Sequence, residues 1–344
     1  MKIIKKVLAL AFFTLVLSCE KPETPSIEST NFKSSFQIKK KSLKATLVTK
    51  ETSFDKRGAH SSIVFNEKMW VLGGTSGGIH KNDVWSSKDG ANWQQVIEQA
   101  KFPARFDHAS VVFKDKIWVI GGRGKKFNGK DELNDIWSST DGKQWKQTIT
   151  KNKFAPRFWH TLTVFKGCLW LIGGWGETDT FSDVWRSCDG QNWVQITQNA
   201  PFGKRRGHDA IVFDDKLWVV GGHKGNTSAQ QLTNDVWYSS NGYSWTQATD
   251  NAKFPPRRNH TLETNGELMW LIAGQAEQEG QIFLNDIWYS KNGTSWFEAK
   301  TSEPFPQRVY HSSVMLNKKL FVINGLGLNE DQFQLLSDVW SFEF

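Results

Sequence analysis

The sequence predicts an all-β chain folded as a six-bladed β-propeller, its last blade closed by an N-terminal strand. Three observations carry this. First, one pattern recurs six times in 344 residues, with anchor histidines at His60, His108, His160, His208, His260 and His311, spaced 48, 52, 48, 52 and 51 residues apart. Self-similarity at this period marks radial or stacked supersecondary units. Second, each copy divides into four short β-prone runs separated by turn residues, and no stretch shows a helical period. Third, sixteen of the eighteen tryptophans occupy three fixed repeat positions, which makes them scaffold that fills the wedge between neighbouring blades.

The second copy shows the four runs. His108 to Phe113 is an inner strand, turned by Lys114-Asp115-Lys116 into Ile117 to Ile120, which stops at Gly121-Gly122. A loop leads to Asp135 to Ser139. Asp141-Gly142 then gives a tight turn, because central residues at positive φ favour Asn, Asp and Gly, and Trp145 opens the outer strand. The sixth copy ends at Phe344 without an outer strand, whereas Leu43 to Thr49 precedes the first copy and aligns with that position. Leu43 to Thr49 is therefore expected to complete the last blade and remove an open sheet edge.

Three regions follow: a lipoprotein signal peptide over 1–18, a flexible tether over 19–41, and the propeller over 42–344. Lys2, Lys5 and Lys6 precede an apolar run from Val7 to Leu17, too short to span a bilayer. Val16-Leu17-Ser18-Cys19 resembles a bacterial lipobox, which implies lipidation (palmitate) of Cys19 and an exported protein anchored in a membrane, in the outer membrane by preference. Cys168 and Cys188 fall opposite each other if the second and third runs of the third copy pair. A disulfide and two free thiols both fit that placement.

The net charge of +8 does not describe the folded part. The signal segment supplies +3 and residues 20–50 another +4, leaving the propeller near neutrality. This excludes a nucleic-acid binder, whose basic charge belongs on the folded face. No motif asks for a cofactor or a resident metal, and six anchor histidines spread around a wide ring are too far apart to share one ion.

The double glycines at 73–74, 121–122, 173–174 and 221–222, with Ala273-Gly274 and Asn324-Gly325 as departures, and downstream pairs such as Trp85 and Trp93, resemble kelch-repeat propellers. The resemblance covers 42–344. It includes galactose oxidase, whose copper chemistry needs tyrosines and a cysteine that this chain lacks at the right places. It also includes the bacterial sialic-acid mutarotases (N-acetylneuraminate epimerases), which match in size and export but share no catalytic motif here. Such propellers comprise both enzymes and binding modules.

Candidate site residues come from the positions where the copies disagree, on the rim that bears the loops between second and third strands. The repeated Arg57, Arg105, Arg157, Arg205, Arg257 and Arg308 and the repeated Asp83, Asp135, Asp183, Asp235, Asp286 and Asp338 are expected to form structural ion pairs. Next to them, Arg123, Trp159, Trp175, Arg206, His223, Arg258, Gln275 and Tyr310, with Phe106, are the expected ligand-binding set. Guanidinium groups suit a carboxylate, and an aromatic face suits a pyranose ring. The expected function is a binding module for a glycan, in particular an acidic sugar, or for a protein. The alternative is sialic-acid mutarotation, with Asp107 and His223 as the acid–base candidates.

Overall fold

Short runs of β-branched and aromatic residues, broken every few residues by a turn, pair mostly with their immediate neighbours in sequence. The computed structural model describes residues 41–124, 131–226, 231–277, 280–329 and 332–344. The expected signal segment, Cys19 and the tether up to residue 40 lie outside the described residues.

The first repeat pairs Ser61–Phe65, Lys68–Ser76, Ile79–Ser87 and Gln94–Ile97 as an antiparallel sheet. The other five repeat this order, so the chain is a β-propeller. Their innermost strands are Ala109–Phe113, Thr161–Phe165, Asp209–Phe213, Thr261–Thr264 and Ser312–Leu316. Each innermost strand contacts the next, and Ser312–Leu316 contacts Ser61–Phe65, which closes the ring.

The seam is the N-terminal strand Ser42–Thr49. It pairs antiparallel with Gln332–Glu343, from Lys44 opposite Glu343 to Thr49 opposite Val339, and so supplies the fourth strand of the last blade. Its other edge was not foreseen: Ser42 and Leu43 pair in parallel with Lys300 and Thr301 of the fifth blade.

The core lies between blades. Trp70 and Leu72 of the first blade pack with Val119, Trp137 and Trp145 of the second, and comparable clusters recur around the ring. A glycine in the Asp-Gly turn makes room for this: a Cβ on Gly142 would sit 2.3 Å from the Trp70 ring. Cys168 and Cys188 are bonded, with Cα atoms 4.0 Å apart across the second and third strands of the third blade.

The double glycines form a bulge. The ladder shifts register between Leu72 and Gly74, with φ of +57° at Gly73 and +98° at Gly74. The first position lies in the left-handed region that Asn and, at a cost, other residues adopt. Ala273 (φ 50°) and Asn324 (φ 48°) stand there in the last two copies. The second position reaches 105° and 115° in those copies and keeps its glycine.

The six repeated arginines are wholly buried. Arg157 spans Asp183 with Nη1 to Oδ1 at 2.6 Å and Nη2 to Oδ2 at 2.8 Å, and Nη1 also donates to the Gly173 carbonyl at 2.8 Å. Trp185 Nε1 donates to the same carboxylate at 2.7 Å. The motif recurs at Arg57–Asp83, Arg105–Asp135, Arg205–Asp235, Arg257–Asp286 and Arg308–Asp338. Each pair ties a blade entry to the bulge and the third strand, so these side chains hold the rim and do not present themselves to ligand.

Candidate functional site at the channel mouth

Immediately before each anchor histidine the backbone takes a left-handed turn. φ is 55° at Ala59, 52° at Asp107, 53° at Trp159, 59° at Gly207, 52° at Asn259 and 56° at Tyr310. These six residues form a belt around the channel axis. Ala59 N–H donates to the Tyr310 carbonyl at 2.8 Å, Asp107 to Ala59 at 2.9 Å, Trp159 to Asp107 at 3.2 Å, Gly207 to Trp159 at 3.1 Å and Asn259 to Gly207 at 2.7 Å. The six residues, five of them strained non-glycine positions, line a cavity of about 310 Å3 together with the anchor histidines.

Of the ligand-binding candidates, Trp159 and Tyr310 line this cavity, and the others are reached through them. Trp159 lies nearly parallel to Tyr310, centroids 6.3 Å apart at 15°, and 5.9 Å from Trp175. Arg258 stands over Trp159 at 5.9 Å and donates from Nε to Gln275 Oε1 at 3.0 Å. Arg206 lies over Trp175 at 4.1 Å. Arg123 is held to the group through Phe158, 4.8 Å from its guanidinium, and Phe158 in turn stacks on Trp175 at 5.5 Å. Phe106 lies 5.9 Å from Arg123 and packs on His80.

Several candidates are more enclosed than loop position suggests. Arg206 is 6% exposed and donates to Thr180 Oγ1 at 2.7 Å and the Gly225 carbonyl at 3.1 Å, which latches the third and fourth blades' loops together. His223 is 1% exposed and Gln275 3%. Trp175 already carries Phe158 and Arg206. The candidates left partly exposed are Trp159, Trp175, Tyr310, Arg258 and Arg123, while Arg206, Gln275 and His223 are buried.

The electrostatics are lopsided. Among the described residues neither Arg206 nor Arg258 makes an ion pair. Burial, and then the Arg258 charge, lowers the Arg206 guanidinium's proton affinity. Burial followed by the charges of Arg206 and Arg258 pulls His223 down to about 4, which keeps it neutral. Burial pushes the Asp107 carboxyl up to about 7, against the pull of Trp159 and Arg123. Burial and the Asp107 charge push Tyr310 up to about 12.

Two acidic residues of the channel escaped the sequence reading. Asp209 and Glu263 stand on innermost strands and line the same cavity. Their signal was present: Glu263 occupies the place of Ile63, Val111, Thr163, Ile211 and Val314 in the other copies. Among the described residues no three His, Cys, Asp or Glu side chains gather as a metal set.

A closed ring of four-stranded blades with Arg–Asp clasps and a bulged double glycine defines a kelch-type propeller. The chain belongs to the KLHDC2/KLHL20/DRC7 Kelch-repeats family, whose domain model matches residues 28–174 and 108–325. The solved structure of YjhT shares the fold, with a TM-score of 0.66 at 15% identity over 84% of this chain and 99% of that one. No curated protein matches the sequence.

Proposed function

We propose that the chain is an exported, lipid-anchored propeller that binds a glycan at the channel mouth. The observation that carries this is the nearly parallel Trp159–Tyr310 pair, with Arg258 over Trp159 and Arg206 over the neighbouring Trp175, neither arginine ion-paired among the described residues. An aromatic face takes the C–H face of a pyranose ring, and an unpaired guanidinium takes a carboxylate through charge-assisted hydrogen bonds. The opening between six inner strands suits one sugar unit better than the broad patch of a protein interface. The export and anchoring rest on the Val16 to Cys19 motif. A glycan array followed by calorimetry with N-acetylneuraminate tests the reading. Absence of any glycan binding, or binding that Trp159→Ala and Arg258→Ala leave untouched, would refute it.

Asp107 favours a second reading, mutarotation of an acidic monosaccharide. A carboxyl raised to about 7 at the mouth exchanges protons near neutrality, as a general acid–base group must. Exchange NMR between the anomers of N-acetylneuraminate is the measurement. Acceleration that Asp107→Asn abolishes supports it, and an unaccelerated rate rules it out.

A further inference from the structure

Beneath the mouth, the residues that follow the anchor histidines are Ser61, Ala109, Thr161, Asp209, Thr261 and Ser312. Four of them place a hydroxyl against Nε2 of the next blade's histidine: Ser61 to His108 at 2.8 Å, Thr161 to His208 at 3.5 Å, Thr261 to His311 at 3.2 Å and Ser312 to His60 at 2.7 Å. Ala109 and Asp209 break the series. His260, 4% exposed and lining the cavity, has no hydrogen bond at either ring nitrogen among the described residues. The Val220 carbonyl is near enough to favour its charged form slightly, but lies outside hydrogen-bonding geometry. Asp209 does not replace the missing hydroxyl; it accepts from the backbone N–H of Leu262 at 2.7 Å and of Ala210 at 2.8 Å.

Glu263 faces Asp209 in the same space and accepts from Ser313 Oγ at 3.0 Å. Ser62 and Ser110 complete this level, and the Ser110 hydroxyl is buried without a partner among the described residues. A second cavity of about 250 Å3 shares Ser62, Ser110, Glu263 and Ser313, and continues along Val64, Val112 and Met315 toward the face that bears the tight turns. Glu263 therefore stands where the two cavities meet. Among the described residues the upper cavity is lined by Asp107, Asp209 and Glu263 and by no lysine or arginine.

These groups share one chemistry. Carboxylates only accept when ionised, a neutral imidazole offers one acceptor nitrogen, and a serine hydroxyl accepts as readily as it donates. Buried carboxylates without a cation are costly. We propose that the channel interior binds a small monovalent cation, of alkali-metal or ammonium kind, between Asp209 and Glu263. The His260 ring and the hydroxyls of Ser62, Ser110 and Ser313 complete its surroundings, and it enters from the turn-bearing face. The site is separate from the glycan-binding mouth and stands or falls independently of it.

The test is thermal melting of the folded chain at alkaline pH and equal ionic strength in sodium, potassium, ammonium or tetramethylammonium chloride. The last cation is too bulky for the site. At least one small cation is expected to raise the Tm by about 2–4 °C over tetramethylammonium. Ammonium alone doing so identifies the ammonium kind; sodium or potassium doing so identifies the alkali kind. Glu263→Gln and Asp209→Asn should remain folded and lose the difference. A crystal soaked in rubidium, as a heavy substitute for potassium, locates an alkali ion directly. Equal Tm in all four salts overturns the proposal, as does a rise that both variants keep.

Discussion

Trp159 and Tyr310 come from the third and sixth blades, yet their rings lie 15° from parallel with centroids 6.3 Å apart. Half a turn of the propeller separates them, so the pair spans the mouth. Their backbones are joined to the belt of left-handed residues, which fixes where each ring can stand. If this pair is the sugar platform, the ring matters and the phenol hydroxyl does not. Trp159→Ala is expected to weaken N-acetylneuraminate binding at least about tenfold, roughly 1.4 kcal/mol. Tyr310→Phe should change it by less than about twofold, and Trp175→Ala by an intermediate amount, because Trp175 supports the site from beneath Arg206. Calorimetry on the three variants decides the order.

The arginine clasps make a different prediction. Arg157 is fully enclosed and its removal would leave Asp183 buried beside a bare Gly173 carbonyl. Breaking one partner of a buried pair costs about 3–5 kcal/mol, far more than a surface pair is worth. Arg157→Ala should lose that much stability in urea melts. Arg157→Lys should recover only part of it, since an ammonium cannot span both carboxylate oxygens and the carbonyl together. A loss below about 1 kcal/mol for Arg157→Ala would mean that the clasp is not holding the rim.

Stability should pass through a maximum in pH. Burial holds His60, His160 and His260 at about 3, His223 at about 4, and His108, His208 and His311 well below the ordinary 6.5. The unfolded chain therefore binds protons that the fold refuses, and stability is lost as pH drops below about 6.5. Asp107 and Asp209 at about 7 and Glu263 at about 8 act the other way. They keep protons that the unfolded chain has released, and their contribution is lost as pH rises through those values. Seven imidazoles outweigh three carboxyls on the acid side, so stability should climb toward about 6.5 and fall again by about 8. Urea melts across this range in tetramethylammonium chloride measure it. The alkaline fall should shrink in the Asp209→Asn, Glu263→Gln double variant.

The contrast between the clasps and the channel explains what could be read beforehand. Six copies of Arg and Asp at matching offsets can only satisfy the same neighbour six times, so repetition alone revealed the ion pairs and the register of the tryptophans. The rim candidates stand where the copies differ, and contacts link Trp159 to Tyr310, Trp175 and Arg258, and Arg206 to Trp175. Repetition could not show depth. Arg206, His223 and Gln275 are buried, and Arg206 is held by Thr180 of the preceding blade's loop, a contact between residues with no fixed spacing. Asp209 and Glu263 were missed because difference between copies was sought in the loops and not along the innermost strand, where alternation decides which residues face the channel.

Ring closure gives the last prediction. In the seam strand, Ala45 turns its N–H outward to Ser302 Oγ at 3.0 Å, and the Leu43 carbonyl accepts from Ser302 N–H at 2.9 Å. Backbone groups alternate along a strand, so the N–H of Thr46 faces Ser341 on the other side, within the last blade's ladder. The Thr46 side chain is exposed, so Thr46→Pro disturbs no packing while removing that donor and its ladder hydrogen bond. The cost should be at least about 1 kcal/mol, or about 2–4 °C in Tm, with Thr46→Ala nearly neutral as the control. Leu43→Ala attacks the same seam through the core: Leu43 is 1% exposed within the cluster of Trp270, Tyr289 and Phe342, and should lose about 2–5 kcal/mol. Because both blades that meet at the seam depend on this strand, each variant should also speed proteolysis of the fifth and sixth blades. Unchanged melting in both Thr46→Pro and Leu43→Ala would show that the ring holds without its N-terminal strand.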